Sequence, residues 1–185
     1  SYDHQWNSGV VRRLHLQTDV YYNSVHDKIV AYPKGQQFRW TMLNLGKVHI
    51  KGIDVEGELT TVPLNGLQVT GRLQYTYQDA RDVTNSADTY YRHQIPYIPW
   101  HSGSAIVNVQ YGAWDVNYSF IYAGERYNQQ EKLPYNYMQP WYTSDVSISR
   151  QFWLKNIELK AMLEVNNLFS QDYDVILNYP MPKRN

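Results

Sequence analysis

Long segments in which apolar and polar side chains alternate are the feature that most constrains the fold of this chain. In residues 13–23, for example, Leu14, Leu16 and Val20 share one set of positions, and His15 and Asp19 share the other. The same alternation recurs in residues 53–59, 67–77, 105–111, 114–122, 146–152 and 157–165. Alternating side chains lie on opposite faces of a β-strand, and no long segment has the helical period. The sequence therefore predicts an all-β protein with about seven long strands.

The connections between these strands are predicted to be of two kinds. Tight turns are predicted at Asn65-Gly66, Gly112-Ala113 and Leu154–Asn156, and Asn-Gly is a strong hairpin signal. Long polar loops are predicted at Asp79–Arg92, Gly124–Gln139 and Ser170–Pro180. Polar residues at 23–28 predict one more turn, before a short run, Ile29–Tyr32, that ends at Pro33-Lys34-Gly35. Short turns that alternate with long loops predict an antiparallel up-and-down meander with all its long loops at one end.

Strand length and aromatic content favour a sheet that crosses a membrane. The longer predicted strands, such as Arg13–Asn23 and Val48–Thr61, have 11 to 14 residues, which exceeds the usual five or six of soluble sheets and suits a bilayer crossing. Aromatic residues make up 15% of the chain although its mean hydropathy is −0.61. Many lie near predicted strand ends, where membrane barrels carry aromatic girdles: Tyr21, Tyr22, Tyr75, Tyr77, Trp100, Trp114, Tyr122, Trp141, Tyr142, Phe152 and Trp153. A soluble carbohydrate-binding β-sandwich is the alternative.

Composition and motifs argue against several classes of function. The 17 basic and 17 acidic residues balance, and no basic cluster exceeds Arg12–Arg13, so nucleic acid is not expected as a partner. Without cysteine there is no thiolate metal site and no cysteine nucleophile. The six histidines lack ligand spacing, and phosphate-loop, dinucleotide and serine-hydrolase motifs are absent. We therefore predict no enzymatic activity, no cofactor and no metal.

Three carboxylates at alternate positions are the strongest candidate for catalysis. Asp54, Glu56 and Glu58 project from one face of one strand, and a pair of carboxylates is what glycoside hydrolysis requires. Neighbouring positions on one strand seldom lie on both sides of a substrate, however. Arg72, on the next strand, is expected to neutralise these carboxylates across the hairpin. A solvated face that lines a lumen is therefore the favoured interpretation.

Four motifs, one of them in two parts, carry a resemblance to a known family. Residues Glu164–Val175 and Asn178–Arg184 resemble the closing motif of TonB-dependent outer-membrane receptors. Asn44–Glu56, Pro96–His101 and Tyr142–Ile148 resemble three further strand motifs of that family, in the same order. Within the family, the chain resembles the Bacteroidetes-type cobalamin receptors most, on the basis of residues 136–143 and 178–182.

The resemblance implies that residues 1–185 are a C-terminal segment of a transmembrane barrel of about 22 strands with a plugged lumen. The plug domain and the final strand are expected to lie outside these residues. The implied location is the outer membrane of a Gram-negative bacterium. The implied partners are the plug, the remaining barrel strands, outer-membrane lipid, and the TonB complex acting through the plug. The implied function is the import of a scarce, large ligand, which would be cobalamin, an iron-siderophore complex or haem.

The resemblance also implies roles for the two faces of the sheet and for the long loops. The apolar face, with Val107, Val116, Leu159 and Leu163, is expected to contact lipid, and the polar face, with Glu56, Arg72 and Glu164, is expected to line the lumen. The long loops are expected outside the cell and the tight turns in the periplasm. The loop residues expected to contact the ligand are Tyr90, Tyr91, Arg92, Arg126, Tyr127, Asn128, Tyr135 and Tyr137.

Overall fold

A single antiparallel sheet forms most of the protein in a computed structural model that describes residues 1–6, 9–34, 39–155 and 157–185. In the described residues this sheet has eight strands, and each strand pairs with the next one along the chain within the sheet. The eight are β1 (Tyr2–Gln5), β2 (Val11–Lys34), β3 (Arg39–Thr61), β4 (Leu67–Asp82), β5 (His101–Tyr111), β6 (Trp114–Ala123), β9 (Trp141–Leu154) and β10 (Ile157–Val165). Two ribbons lie in the loops: β7 (Arg126–Tyr127) with β8 (Tyr137–Met138), and β11 (Asp174–Ile176) with β12 (Tyr179–Pro180). A 3-10 turn covers Pro134–Asn136.

The predicted all-β antiparallel meander is confirmed. Every pairing in the large sheet is antiparallel, and strand order follows chain order. The sandwich alternative requires two packed sheets of comparable size, whereas the described residues form one large sheet and two small ribbons.

Among the described residues, the structure contains no helix of the length and apolar character needed to cross a membrane.

The register of the sheet separates apolar from polar side chains. Residues directly opposite each other in neighbouring strands lie on the same face. Leu159 pairs with Phe152 on the apolar face, and Glu58 pairs with Arg72 on the polar face. All seven residues assigned to faces from the sequence lie on the predicted sides. The polar face also carries a few apolar side chains, of which Ile106 is one, opposite Arg72.

The tight turns form where the sequence predicts them. Asn65 and Gly66 have φ angles of 51° and 82°, in the left-handed region that a two-residue hairpin turn of this type requires. Gly112 and Lys155 also have positive φ angles, of 56° each. Asn156, the last residue of the third predicted turn, lies outside the described residues.

The turn predicted at residues 23–28 is wrong, because β2 continues through it to Lys34. Backbone pairing with β3 runs on either side, from Asn23 opposite Ile50 to Lys28 opposite Leu45. Asp27 alone has a left-handed φ, of 53°. Polar residues without glycine or proline do not interrupt a strand when a partner strand of equal length supplies hydrogen bonds. The predicted turn at Pro33-Lys34-Gly35 is also not observed at its first two residues, which belong to β2, and Gly35 lies outside the described residues.

Buried apolar residues are concentrated at the loop end of the sheet. Leu45, Val48, Ile50, Ala80 and Ile95 form this cluster, and the Ile95 N–H donates to the Ala80 carbonyl at 2.9 Å.

The middle of the apolar face, in contrast, is uncovered. Val20, Leu73 and Leu163 expose 76%, 60% and 66% of their surface. A contiguous apolar face of this size needs a non-aqueous environment. The sheet is also open, since β1 and β10 each pair on one side only within the described part of the chain.

The hairpin geometry generates a stability prediction. We expect Gly66→Ala to lower the free energy of unfolding by roughly 1–2 kcal/mol, because a Cβ disfavours the left-handed region. Gly71→Ala is the control, since Gly71 has no positive φ and its added Cβ would meet no atom within 4 Å. Urea unfolding of both variants measures the difference. Equal effects would contradict the assigned turn conformation.

Candidate functional site

The three long loops cover residues 83–100, 124–140 and 166–185, and they gather at the end of the sheet opposite the tight turns. We call this assembly the loop cap. The first loop was predicted to begin at Asp79, but residues 79–82 belong to β4 because they continue its pairing with β3. The first and second loops join where the Tyr97 N–H donates to the Tyr127 carbonyl at 2.8 Å. The second and third join where Arg126 Nη2 donates to the Asp174 carbonyl at 2.8 Å. The three loops are therefore joined to one another by hydrogen bonds.

Arg126 is the buried centre of the loop cap. Only 3% of its surface is exposed, and its Nη2 donates to the carbonyls of both Asp174 and Val175, at 2.8 and 3.2 Å. Burial lowers the pKa of Arg126, although a guanidinium remains charged in proteins. Its Nη1 has no hydrogen-bond partner in the described part of the protein, and no carboxylate there forms an ion pair with it. A buried guanidinium without an ion pair is stabilised by a hydrogen-bond acceptor that lies beside it.

A cavity of about 370 Å³ lies beside Arg126. Its lining residues come from the sheet and from all three loops: Ala31, Tyr97, Pro99, Ala123, Arg126, Trp141, Val175 and Ile176. The Tyr97 hydroxyl and the Trp141 indole N–H are also buried and lack a hydrogen-bond partner among the described residues. Burial raises the pKa of Tyr97, and the nearby Leu177 backbone opposes this rise. Arg126 and Trp141 can only donate, so the cavity suits a group that accepts hydrogen bonds.

Tyr90 ties the first loop to the second. Its hydroxyl donates to Glu131, and this hydrogen bond raises the pKa of Tyr90. The ring of His93 lies 2.9 Å, through Nδ1, from the Gln130 carbonyl oxygen. Gln130 in turn donates to Asp82 at the end of β4, at 2.8 Å. Tyr90 thus belongs to the framework that positions the loop cap.

Tyr127, Asn128 and Tyr137 brace the β7–β8 ribbon. The Tyr127 and Tyr137 rings meet edge to face with centroids 5.6 Å apart. The Tyr137 hydroxyl donates to Glu125 at 3.0 Å, and the Asn128 N–H donates to the Asn136 carbonyl at 3.0 Å. Asn128 is buried, and both tyrosines are half-buried.

The remaining three candidates are exposed, on two different sides of the molecule. Tyr135 exposes 69% of its surface at the tip of the second loop. Tyr91 and Arg92 line another cavity, of about 330 Å³, together with Tyr22 and Lys51 from the apolar face of the sheet. The structure therefore does not bring all eight candidates into one site.

Sequence reasoning did not identify two residues that line the cavity beside Arg126. Tyr97 carries a left-handed φ of 63° between two prolines, and this places its side chain in the cavity wall. Trp141 stacks on Tyr173 with ring centroids 4.5 Å apart. Pro96 and Pro99 signal a rigid segment, but no local pattern indicates which distant residues it meets.

Two of the three β3 carboxylates, Glu56 and Glu58, pair with Arg72 as predicted. Arg72 lies 2.8 Å from Glu58 and 3.6 Å from Glu56, measured from guanidinium nitrogen to carboxylate oxygen. This confirms the expected contact across the hairpin for Glu56 and Glu58, whereas Asp54 forms no ion pair among the described residues. Among the described residues, histidine and carboxylate side chains do not assemble in threes at a possible metal site.

Comparison with known proteins identifies a family for this architecture. Residues 2–168 match the family described as TonB dependent receptor-like, beta-barrel. Among solved structures, the ferric-catecholate import receptor Fiu from E. coli K12 is similar with a TM-score of 0.63, at 20% identity over 94% of this chain. The siderophore receptor PiuA from Acinetobacter baumannii gives 0.58 at 18% identity over 92%, and the copper transporter OprC gives 0.61 at 16% over 97%. At sequence identities this low, the similarity to these structures shows a shared fold. The chain spans about a quarter of each, at 24%, 24% and 27% of their lengths.

The central place of Arg126 generates a prediction about loop motion. We expect Arg126→Met to accelerate amide hydrogen exchange in residues 172–178 by roughly tenfold or more, because two charge-assisted hydrogen bonds to that loop are lost. Lys132→Met is the control, since Lys132 lies in the same loop as Arg126 but only over the Trp100 ring, 5.5 Å from its centroid. Equal exchange in both variants would show that Arg126 does not hold the third loop.

Proposed function

Because this chain belongs to the family of TonB-dependent receptor β-barrels, we propose that it forms part of the wall of an outer-membrane importer. Barrels of this family lie in the outer membrane of Gram-negative bacteria, and they are transport receptors rather than enzymes. The proposed importer takes a large polar ligand at the loop cap and passes it inward along the polar face.

The difference between the two faces of the sheet carries this proposal. On the polar face, charged and amide groups satisfy one another across strands, as in Arg72 with Glu58 at 2.8 Å and Asn108 with Asn117 at 2.6 Å. On the other face, apolar side chains such as Leu73 and Leu163 are exposed. A wall between lipid and a wet lumen requires this arrangement.

The open edges support the proposed partners. An unpaired strand edge cannot persist in hydrocarbon, because its N–H and C=O groups would have no hydrogen-bond partner. We therefore propose that further strands of a barrel of about 22 pair with β1 and β10. The family premise adds a plug within the lumen, and the TonB complex acting through that plug.

For the ligand, we propose a chelated metal ion, with an iron-siderophore complex as the first choice. Two of the compared structures are named for ferric-catecholate or siderophore import, and a third for copper. Cobalamin as the ligand is supported only by the sequence resemblance at residues 136–143 and 178–182. Haem has no observation on this chain in its favour. Tyr135 is proposed to contact the ligand directly because it is the most exposed of the candidate tyrosines. Tyr90, Arg126, Tyr127, Asn128 and Tyr137 are proposed to position it.

The first prediction of this proposal concerns topology. In the full-length receptor on intact cells, a cysteine at Ser86, in the first long loop, should react with a membrane-impermeant maleimide. A cysteine at Asn65, in a tight turn, should react only after the outer membrane is permeabilised. The reverse pattern would invert the topology, and labelling of both sites would contradict a membrane-spanning sheet.

The second prediction concerns the ligand. Purified full-length receptor should bind a ferric siderophore from a panel that includes haem and cobalamin. Tyr135→Ala should weaken this binding about tenfold, as expected for an exposed aromatic anchor. Leu64→Ala should have no effect, because Leu64 is similarly exposed, at 62% against 69% for Tyr135, but lies at the tight-turn end. Tight binding of cobalamin or haem alone would overturn the proposed ligand class.

A further inference from the structure

Near the loop cap, basic residues replace the apolar residues on the apolar face of the sheet. One row across β2, β3 and β4 consists of Val20, Ile53 and Tyr77. The row that lies two residues nearer to the loops, about 7 Å away, consists of Tyr22, Lys51 and Asp79. The next row places His49 beside Arg81. The face therefore changes from apolar to cationic within two rows.

A buried carboxylate holds two of these cations in place. Asp79 exposes 2% of its side chain and lies 3.3 Å from Lys51 Nζ and 2.7 Å from Arg81 Nε. The lysine and arginine side chains remain 61% and 46% exposed. Asp79 can offset only one of the two positive charges, so the pair presents an excess charge to the outside.

Arg92 completes the cluster from the loop cap. It lines the same cavity of about 330 Å³ as Lys51 and Arg81, and no ion pair includes it among the described residues. Its backbone is fixed in the left-handed region, at φ 64°, and its N–H donates to the Asp82 carbonyl at 2.7 Å. Three cations against one carboxylate leave a charge of +2 in this cavity, on a chain whose net charge is zero.

We infer that Lys51, Arg81 and Arg92 form a binding site for the phosphate group of an anionic lipid in the outer leaflet. Arginine and lysine bind phosphate oxygens through short charge-assisted hydrogen bonds, and arginine can do so in a bidentate manner. The exposed rings of Tyr22 and Tyr91 border the cavity, as expected for side chains between acyl chains and headgroups. This inference rests on the proposed membrane-spanning function.

Location separates this site from the import route. Lys51 lies on the face that carries Leu73 and Leu163, whereas Glu56 and Arg72 lie on the opposite face. A ligand that moves through the lumen would contact the polar face and would not reach Lys51. A lipid headgroup beside the barrel would lie at this height and on this side.

The test uses full-length receptor in detergent, with native mass spectrometry of bound lipid. The probes are diphosphorylated lipid A, the same lipid after phosphatase treatment, and inorganic phosphate. We expect the phosphorylated lipid to bind, and Arg92→Gln and Lys51→Gln each to weaken its binding about tenfold. Arg92 makes no ion pair with any residue that the structure describes, so its replacement leaves the Asp79 pairs intact. Arg150→Gln is the matched control, because Arg150 lies on the same face at the tight-turn end, 4.9 Å from the Trp114 ring centroid.

Three results would overturn the inference. These are equal binding of the dephosphorylated lipid, an equal loss in Arg150→Gln, and displacement of the lipid by millimolar inorganic phosphate, which would mark a site for the free ion. Heat-modifiable gel migration of the same samples reports whether the barrel has formed. A folded barrel that fails to bind the lipid overturns this inference alone, whereas a receptor that is soluble and monodisperse without detergent overturns the proposed function.

Discussion

Backbone pairing between neighbouring strands is the constraint on which the rest of this structure depends. The ladder between β2 and β3 continues from Val11 opposite Thr61 to Lys34 opposite Arg39. This pairing fixes the register, and register decides which side chains share a face, since a slip of one residue would exchange the two faces. In hydrocarbon, backbone groups have no other partner, so pairing is also the condition for crossing a bilayer.

Charge is distributed differently on the two faces and in the loop cap. On the polar face, Arg72 forms ion pairs with Glu56 and Glu58 of β3 and offsets part of their charge. On the apolar face, Asp79 only partly neutralises the cations beside it, and these lie next to the loops. In the loop cap, Arg126 is buried and bonded to carbonyl dipoles rather than to a carboxylate. Arginine thus takes part in an ion-pair network on the polar face, in the proposed headgroup site and in a junction of loops.

The sequence predicts features that depend on neighbours along the chain. Alternation placed Leu159 and Glu56 on the correct faces, and Asn65-Gly66 indicated its turn, because period and φ preference are local properties. The course of β2 through Asp27 was missed, since it depends on the matching length of β3. The burial of Arg126 and the cavity beside Tyr97 depend on contacts between loops more than 25 residues apart, for which a single sequence carries no signal.

Collision accessibility along β6 tests the central claim, that this sheet separates lipid from a wet lumen. Nitroxide labels are placed singly at residues 115–120 of the full-length receptor in lipid vesicles. Oxygen, which concentrates in lipid, should relax labels at Val116, Tyr118 and Phe120 most strongly. A water-soluble nickel complex should relax labels at Asp115, Asn117 and Ser119 most strongly. Profiles without this two-residue alternation, or nickel access to all six sites alike, would contradict the account.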